Sequence, residues 1–312
     1  MDLLLPVADL TVNGAGLVLL GAIIGFLSGL FGVGGGFLLT PMLNVLFKVP
    51  YNIAAGSSLA LILGTSVSAT LRHRKLGNVD YALGGWMVVG ALIGVEIGAR
   101  MMESLKHIGT IQVGHGSLSA VDLYVSAVYI VLLLCIGTMV FWESRTSGTR
   151  VGNTSSSDHE VNSKLIVWVH RIPLPPFIAL SRSGIPRMSL WVVWSVGLTV
   201  GILSGFLGVG GGFVLMPVLI YAIGVPTATA IGTSLFQFIF SAFFGTLTHT
   251  LKGNVDLVLV VMLLIGSTVG AQIGAAATQR FTGARLRYYF SIIVYAAAVV
   301  VIAKLLVNMR LL

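Results

Sequence analysis

Apolar residues run in long blocks separated by short polar turns, and six of these blocks, at residues 53–71, 81–101, 123–142, 230–251, 255–276 and 286–307, reach membrane-spanning length. About 20 apolar residues in a helix cross a hydrocarbon core, so each block is predicted as a transmembrane helix. Two more blocks, at 14–47 and 191–223, are interrupted by the same pentapeptide, Gly32-Val33-Gly34-Gly35-Gly36 and Gly208-Val209-Gly210-Gly211-Gly212. Each is too long for one span and short for two. At about 1.5 Å per residue, 14–31 reaches roughly 27 Å and 37–47 only about 17 Å. The second piece is therefore a half-helix, begun by Phe37 in one copy and Phe213 in the other.

The two breaks lie 176 residues apart, and at that offset 25–98 aligns with 201–274 without a gap. Roughly 30 of about 74 residues are kept, which is an internal duplication and not shared apolarity. The fold class is thus an all-α polytopic membrane protein of two homologous repeats, each with a glycine-broken or re-entrant helix plus three transmembrane helices. If the broken segment crosses once the repeats are parallel; if it turns back they are inverted. The re-entrant arrangement gathers Arg72, Arg74, Lys75, the six basic residues from Arg145 to Arg187, and Arg280, Arg285 and Arg287 on one side. Cytoplasmic loops carry such an excess of Lys and Arg, so inverted repeats are favoured, with the parallel alternative open. The organisation is an N-terminal transmembrane repeat at 1–142, a polar cytoplasmic linker at 143–189 and a C-terminal transmembrane repeat at 190–312.

Composition adds what these cannot be. Hydrophobic residues make up 56% of the chain and charged residues 9%, with a mean hydropathy of +0.99, which excludes a water-soluble globule. The net charge of +8 falls on loops between apolar blocks, so it is a topological signal and no nucleic-acid partner is expected. Cys135, the one cysteine, lies inside an apolar block and is expected to pack there. The block at 17–30 lacks a basic leader and a small-residue cleavage pattern, so it is read as structure and not a signal peptide. The linker holds two apolar stretches too short to span, 165–169 and 177–180, expected to lie on the membrane face or form a small hairpin. Its Asn153-Thr154-Ser155 sequon is not expected to carry sugar, and the insertion at 102–122 is expected to be a solvent loop.

Three successive glycines free backbone amides that, at membrane depth, must find partners in protein, in water or in a ligand. A half-helix that follows aims its N-terminal amides and partial positive dipole into the gap, an arrangement that suits anions. Beyond Pro50 and Pro226, which are expected to stop the half-helices, the next span of each copy opens with small hydroxyl residues. These are Ser57 and Ser58 in the first copy and Thr233 and Ser234 in the second, able to donate to an oxyanion or, equally, to cap and pack helices. Gln237 replaces Leu61 of the first copy and puts an amide one turn deeper. The candidate substrate-binding set is Gly34, Gly35, Gly36, Phe37, Ser57 and Ser58 with Gly210, Gly211, Gly212, Phe213, Thr233, Ser234 and Gln237. Candidates for coupling to protons are Glu96, the one acid well inside a span, and His73 and His249, which precede the matching Gly-Asn-Val-Asp turns. Arg100, one turn beyond Glu96, is placed to neutralise it.

The pattern Gly-x-x-Ser-Gly-x-x-Gly-x-Gly-Gly-Gly-x-x-x-x-Pro, at 25–41 and 201–217, together with the duplicated turns Gly77-Asn78-Val79-Asp80 and Gly253-Asn254-Val255-Asp256, resembles the sulfite exporter TauE/SafE family. The resemblance covers nearly the whole chain; the long linker and the 102–122 insertion depart from it. It implies a secondary transporter of sulfite, sulfonates or related sulfur oxyanions working by alternating access, in a bacterial inner membrane. Neither break carries Gly-Lys-Ser/Thr, so no nucleotide loop is present. No enzyme activity, cofactor or metal is expected; the partners are a small anion and the lipid bilayer, with a homodimer left open. The alternatives are an anion channel and an intramembrane serine enzyme. The latter needs a contact between Ser57 or Ser58 and His249, because His73 lies about 15 residues, roughly 22 Å of helix, beyond Ser58.

Overall fold

The computed structural model describes residues 2–113, 116–148 and 164–308. The first half comprises the hairpin β1 (Asp2–Leu5) and β2 (Leu10–Asn13), then α1 (Gly14–Phe31), α2 (Gly36–Leu46), α3 (Tyr51–Lys75), α4 (Tyr81–Lys106), the hairpin β3 (Thr110–Val113) and β4 (Gly116–Ser119), and α5 (Ala120–Gly148). After α6 (Lys164–His170) the second half repeats the order: hairpin β5 (Phe177–Leu180) and β6 (Ile185–Ser189), α7 (Leu190–Leu207), α8 (Gly212–Val218), α9 (Thr227–Leu251), α10 (Leu257–Ala277) and α11 (Gly283–Asn308). Among the described residues, eight helices are long and apolar enough to span: α1, α3, α4, α5, α7, α9, α10 and α11. The broken segments therefore each supply a span of full length before the half-helix.

Local chemistry explains where these helices start and stop. Gly32 and Gly208 end α1 and α7 in the left-handed region, at φ 68° and 69°, and Gly35 and Gly211 hold the same region at 78° and 73°. A side chain there would be strained, which is why glycine recurs. α4 and α10 begin on Asp80 and Asp256, whose carboxylates accept amides of the first turn. Pro50 and Pro226 do not stop the half-helices, which end several residues earlier; they sit at the N-caps of α3 and α9. α4 extends to Lys106 and the strands β3 and β4 follow, so the described residues of the 102–122 insertion include helix and strand and are not simply a solvent loop. The second of the two linker stretches forms the expected hairpin with β6, and the first becomes α6. The sequon at 153–155 lies outside the described residues. Cys135 is exposed on α5, against the expectation that it packs, because it falls on the outer face of an outer helix.

The halves are interlocked along glycine seams. Gly21, Gly25 and Gly29 of α1 lie against the backbone of Leu263, Ser267 and Ala271 on α10, and Gly266, Gly270 and Gly274 return the contact. α4 and α7 repeat it with Gly90, Gly94 and Gly98 facing Gly197, Gly201 and Gly205. In lipid no hydrophobic force draws helices together, so close backbone approach at small residues is what binds them. α3 and α9 are the most enclosed spans, while α5 and α11 lie outermost.

Candidate functional site

Both glycine breaks come together at the centre. A Cβ on Gly36 would collide with the carbonyl of Val209, and one on Gly212 with Val33. The Phe37 and Phe213 rings, in the first turns of α2 and α8, stack at 5.8 Å. Gly34, Gly36 and Gly210 all lie against Ile62 of α3, and Gly34 also faces Phe238, the equivalent position on α9. Phe47, at the far end of α2, lies 3.5 Å from where a Cβ on Gly16 would sit, near the start of α1. α2 therefore runs back beside α1. The N-termini of the two half-helices meet, and the positive ends of their dipoles converge.

Polar groups at this junction lack partners. The amides of Gly34, Gly35, Gly36 and Phe37 donate to none of the described residues, nor do those of Gly210, Gly211, Gly212 and Phe213. Gln237 is fully enclosed with neither amide atom hydrogen bonded, one residue from the Phe238 ring at Gly34. Ser28 Oγ, beside Gly35, and its counterpart Ser204 Oγ are likewise buried and unpartnered. These two serines belong to the repeated Gly-x-x-Ser-Gly pattern but were not among the sequence candidates. Most buried polar groups in proteins are satisfied, so a cluster of this kind is informative.

The hydroxyl candidates divide. Ser58 accepts from Thr40 of α2 at 3.0 Å, and Thr40 also reaches Gly208 O at 3.4 Å, which ties Ser58 to the junction. Ser234 donates to Ala230 O within its own helix. Ser57 and Thr233 serve elsewhere: they accept from the amides of Asp256 and Asp80 at 3.0 and 2.9 Å, fixing the Gly-Asn-Val-Asp turn of the opposite half. The hairpins close over the same turns, with Val7 N donating to Asp256 Oδ2 at 2.9 Å and Ser183 Oγ donating to Asp80 Oδ2 at 2.7 Å. Gly56 at the start of α3 abuts Asn254, while Asn78 follows the end of α3, so the two turns occupy opposite ends of that helix.

The coupling candidates contact other partners. Glu96 is half-buried, held by Arg100 at 2.7 Å and by Thr248 at 3.4 Å. His73 and His249 are buried, each with Nε2 against a carbonyl of the preceding glycine helix, Gly29 O at 3.2 Å and Gly205 O at 2.9 Å. Their Nδ1 atoms are unpartnered. The fold does bring His249 beside Gly56, as a serine enzyme would need. Ser57 Oγ accepts from Asp256 N and His249 Nε2 lies against Gly205 O, and no serine–histidine hydrogen bond is found among the described residues.

Comparison with known proteins agrees in kind. A probable membrane transporter protein of Xylella fastidiosa is 27% identical over 285 residues, covering 90% of this chain and 92% of the relative. The probable membrane transporter protein YunE of Bacillus subtilis is 25% identical over 271 residues, covering 85% and 88%. Sulfite exporter TauE/SafE family protein 3 of Arabidopsis thaliana is 22% identical over 383, covering 92% and 77%. No solved structure matches the chain. The sequence model of the family described as Sulfite exporter TauE/SafE matches residues 17–301. With eight spans and nearly its whole length matched, the chain is a multi-pass integral membrane protein and belongs to the TauE/SafE sulfite exporter family.

Proposed function

We propose that the protein is a secondary transporter of sulfur oxyanions, sulfite or an organosulfonate, with the substrate held where the two glycine breaks meet. The observation that carries this reading is the buried junction of two half-helix N-termini whose amides, with the Ser28 hydroxyl beside Gly35, have no protein partner; the buried Gln237 amide, next in sequence to Phe238, and the Ser204 hydroxyl, the repeat counterpart of Ser28, are unpartnered as well. Donors without a fixed cation suit an anion that must leave as readily as it enters. They also avoid the cost of a bare charge in hydrocarbon when the site is empty, which exceeds roughly 2.5 kcal/mol for Arg or Lys at the helix centre. The names of the relatives and the family support transport over catalysis. Access alternates by movement of α2 and α8 against the fixed glycine seams, exposing the junction first to one side and then to the other.

The test is a titration of purified protein with sulfite, thiosulfate, sulfate, taurine, sulfoacetate and aromatic sulfonates, followed by flux in liposomes. At least one anion should raise the melting temperature by linkage and move with saturable kinetics. Single-channel conductance in place of saturable flux would make the protein a channel, and no response to any of these anions would defeat the reading.

A further inference from the structure

Arg287 stands on the first turns of α11 and is only 7% exposed. Its Nη1 donates to Thr227 Oγ1 at 2.8 Å, at the start of α9, and its Nε has no partner. The ion pairs among the described residues, Glu96–Arg100 and Glu103–Lys106, leave it without a carboxylate. Buried charges are ordinarily paired, because desolvation otherwise disfavours them strongly. The duplication supplies a control. Tyr51 is the repeat counterpart of Thr227, and it is met from α5 by Ser126, whose Oγ donates to Tyr51 Oη at 3.3 Å. The ammonium of Lys304 also lies over the Tyr51 ring, at 5.1 Å, so that station has a hydroxyl and a point charge but no planar guanidinium fork.

Placement gives the charge a role. Phe290, three residues on and so on the same face of α11, packs on Phe31 at 5.6 Å and on Phe37 at 5.9 Å. Arg287 therefore lies one helical turn from the ring that touches the glycine junction, on its linker side. The linker side is marked by Arg182, which donates to Gly77 O, and by His170 against Ile223 O at the end of the second half-helix.

We infer that Arg287 is a docking residue for the transported oxyanion on the linker-side approach to the junction. Thr227 holds one nitrogen of the guanidinium, and the Nε edge of the planar fork takes two oxygens of a sulfite or sulfonate group before the anion passes the Phe31, Phe37 and Phe290 rings. The inference rests on the transport reading and adds a second, charged station to its neutral central site.

The experiment measures equilibrium binding of sulfite to the full-length protein in phosphatidylcholine vesicles. Arg287→Gln should weaken the Kd about tenfold or more, and Arg287→Lys, which keeps the charge and loses the fork, should weaken it by about threefold. Thr227→Val should leave affinity within about twofold, since the charge remains. If Arg287→Gln does not insert, Arg287→Lys carries the test. An unchanged Kd in the folded variant overturns the inference, and so does a lowered melting temperature of the anion-free protein without loss of affinity, which would mark a purely structural contact. A lipid phosphate could engage the same fork. Adding about 20% phosphatidylglycerol depletes the anion at the surface and should raise the Kd by the same factor in wild type and Arg287→Gln; a rise confined to wild type would assign the residue to lipid and overturn the inference. Wild-type protein that binds neither sulfite nor any sulfonate defeats the transport reading itself, an outcome distinct from all of these.

Discussion

Replacing Gln237 by Leu makes the second half match the first, which carries Leu61 at the equivalent place. Gln237 is fully enclosed and neither atom of its amide has a partner. An unsatisfied buried polar group costs about 1–3 kcal/mol. Leucine removes the polar atoms at little change in volume, so the anion-free protein should gain stability, by about 1–3 kcal/mol if the whole penalty is relieved. Affinity should move the other way. A hydrogen bond to a charged group is worth about 1.5–3 kcal/mol, and at about 1.4 kcal/mol per factor of ten its loss weakens the Kd by roughly ten- to a hundredfold. The two signs together discriminate, because a glutamine that only fills space would change stability and leave affinity alone. Thermal unfolding without anion and a sulfite titration of the same preparations measure both. A lower melting temperature would refute the premise of an orphaned amide, and an unchanged Kd would refute its role as a ligand.

Gly94→Val should destabilise the fold by about 1–3 kcal/mol or more, because its Cβ meets the Leu198 carbonyl in the α4–α7 seam, whereas Gly85→Ala on the same helix meets open space and should be neutral or gain up to about 1 kcal/mol. Equal effects in denaturation would remove the seam from the account. Cysteines at Lys75 and Leu251, equivalent exposed positions in the two repeats, should be labelled from opposite sides of the membrane, and labelling from one side only would establish parallel repeats. The turn residue Asn254 is buried and would not serve for labelling. Glu96→Gln, which copies Gln272 of the second repeat, should fold normally and transport within about twofold of wild type, since the carboxylate is spent on an ion pair at a half-exposed rim. Loss of uptake driven by a pH gradient in that variant would instead make Glu96 the proton carrier.

The features legible in the sequence were those with a strong local signature. Two glycine pentapeptides at a fixed offset announce a duplication and a break whatever surrounds them, and apolar block length identifies spans. What stayed hidden depends on which half touches which. The spacing of four in Gly21, Gly25 and Gly29, and in Gly90, Gly94 and Gly98, was readable as a packing stripe, but nothing local says that α1 finds α10 of the other repeat. Ser57 and Thr233 have the chemistry of anion ligands and of anchors alike, and only the position of the opposite turn shows that an aspartate amide uses them. A count of basic residues places Arg287 among the loop charges, because such a count cannot distinguish an exposed arginine from one enclosed beside Thr227. The hairpin β1–β2 was missed since two four-residue strands carry little periodicity, although Val7 is the repeat counterpart of Ser183 and reaches the matching aspartate.

The seams constrain which parts can move in the proposed cycle. α1 with α10 and α4 with α7 each join one repeat to the other through backbone contacts at glycine, so rocking one whole half against its partner would tear both seams at once. The half-helices are less restrained. They contact each other through Phe37 and Phe213, and α8 gives way after Pro217 to a π-helical turn, Leu219–Ile223, which ends on Gly224 in the left-handed region, while α2 stays α-helical to Leu46. π-helical turns are frequent at functional sites, so in the proposed cycle the second half-helix is the better candidate to move. Its last carbonyls are held by the linker, where His170 meets Ile223 O at 2.9 Å, and Ile166 lies 3.4 Å from where a Cβ on Gly224 would sit. A displacement of α8 would thus be felt at both its ends: at the junction, where the amides of Gly211 and Gly212 change direction, and on the linker face, where α6 must follow. The two repeats share a sequence pattern, but the asymmetry of their half-helices makes the linker-side half of the cycle physically different from the other.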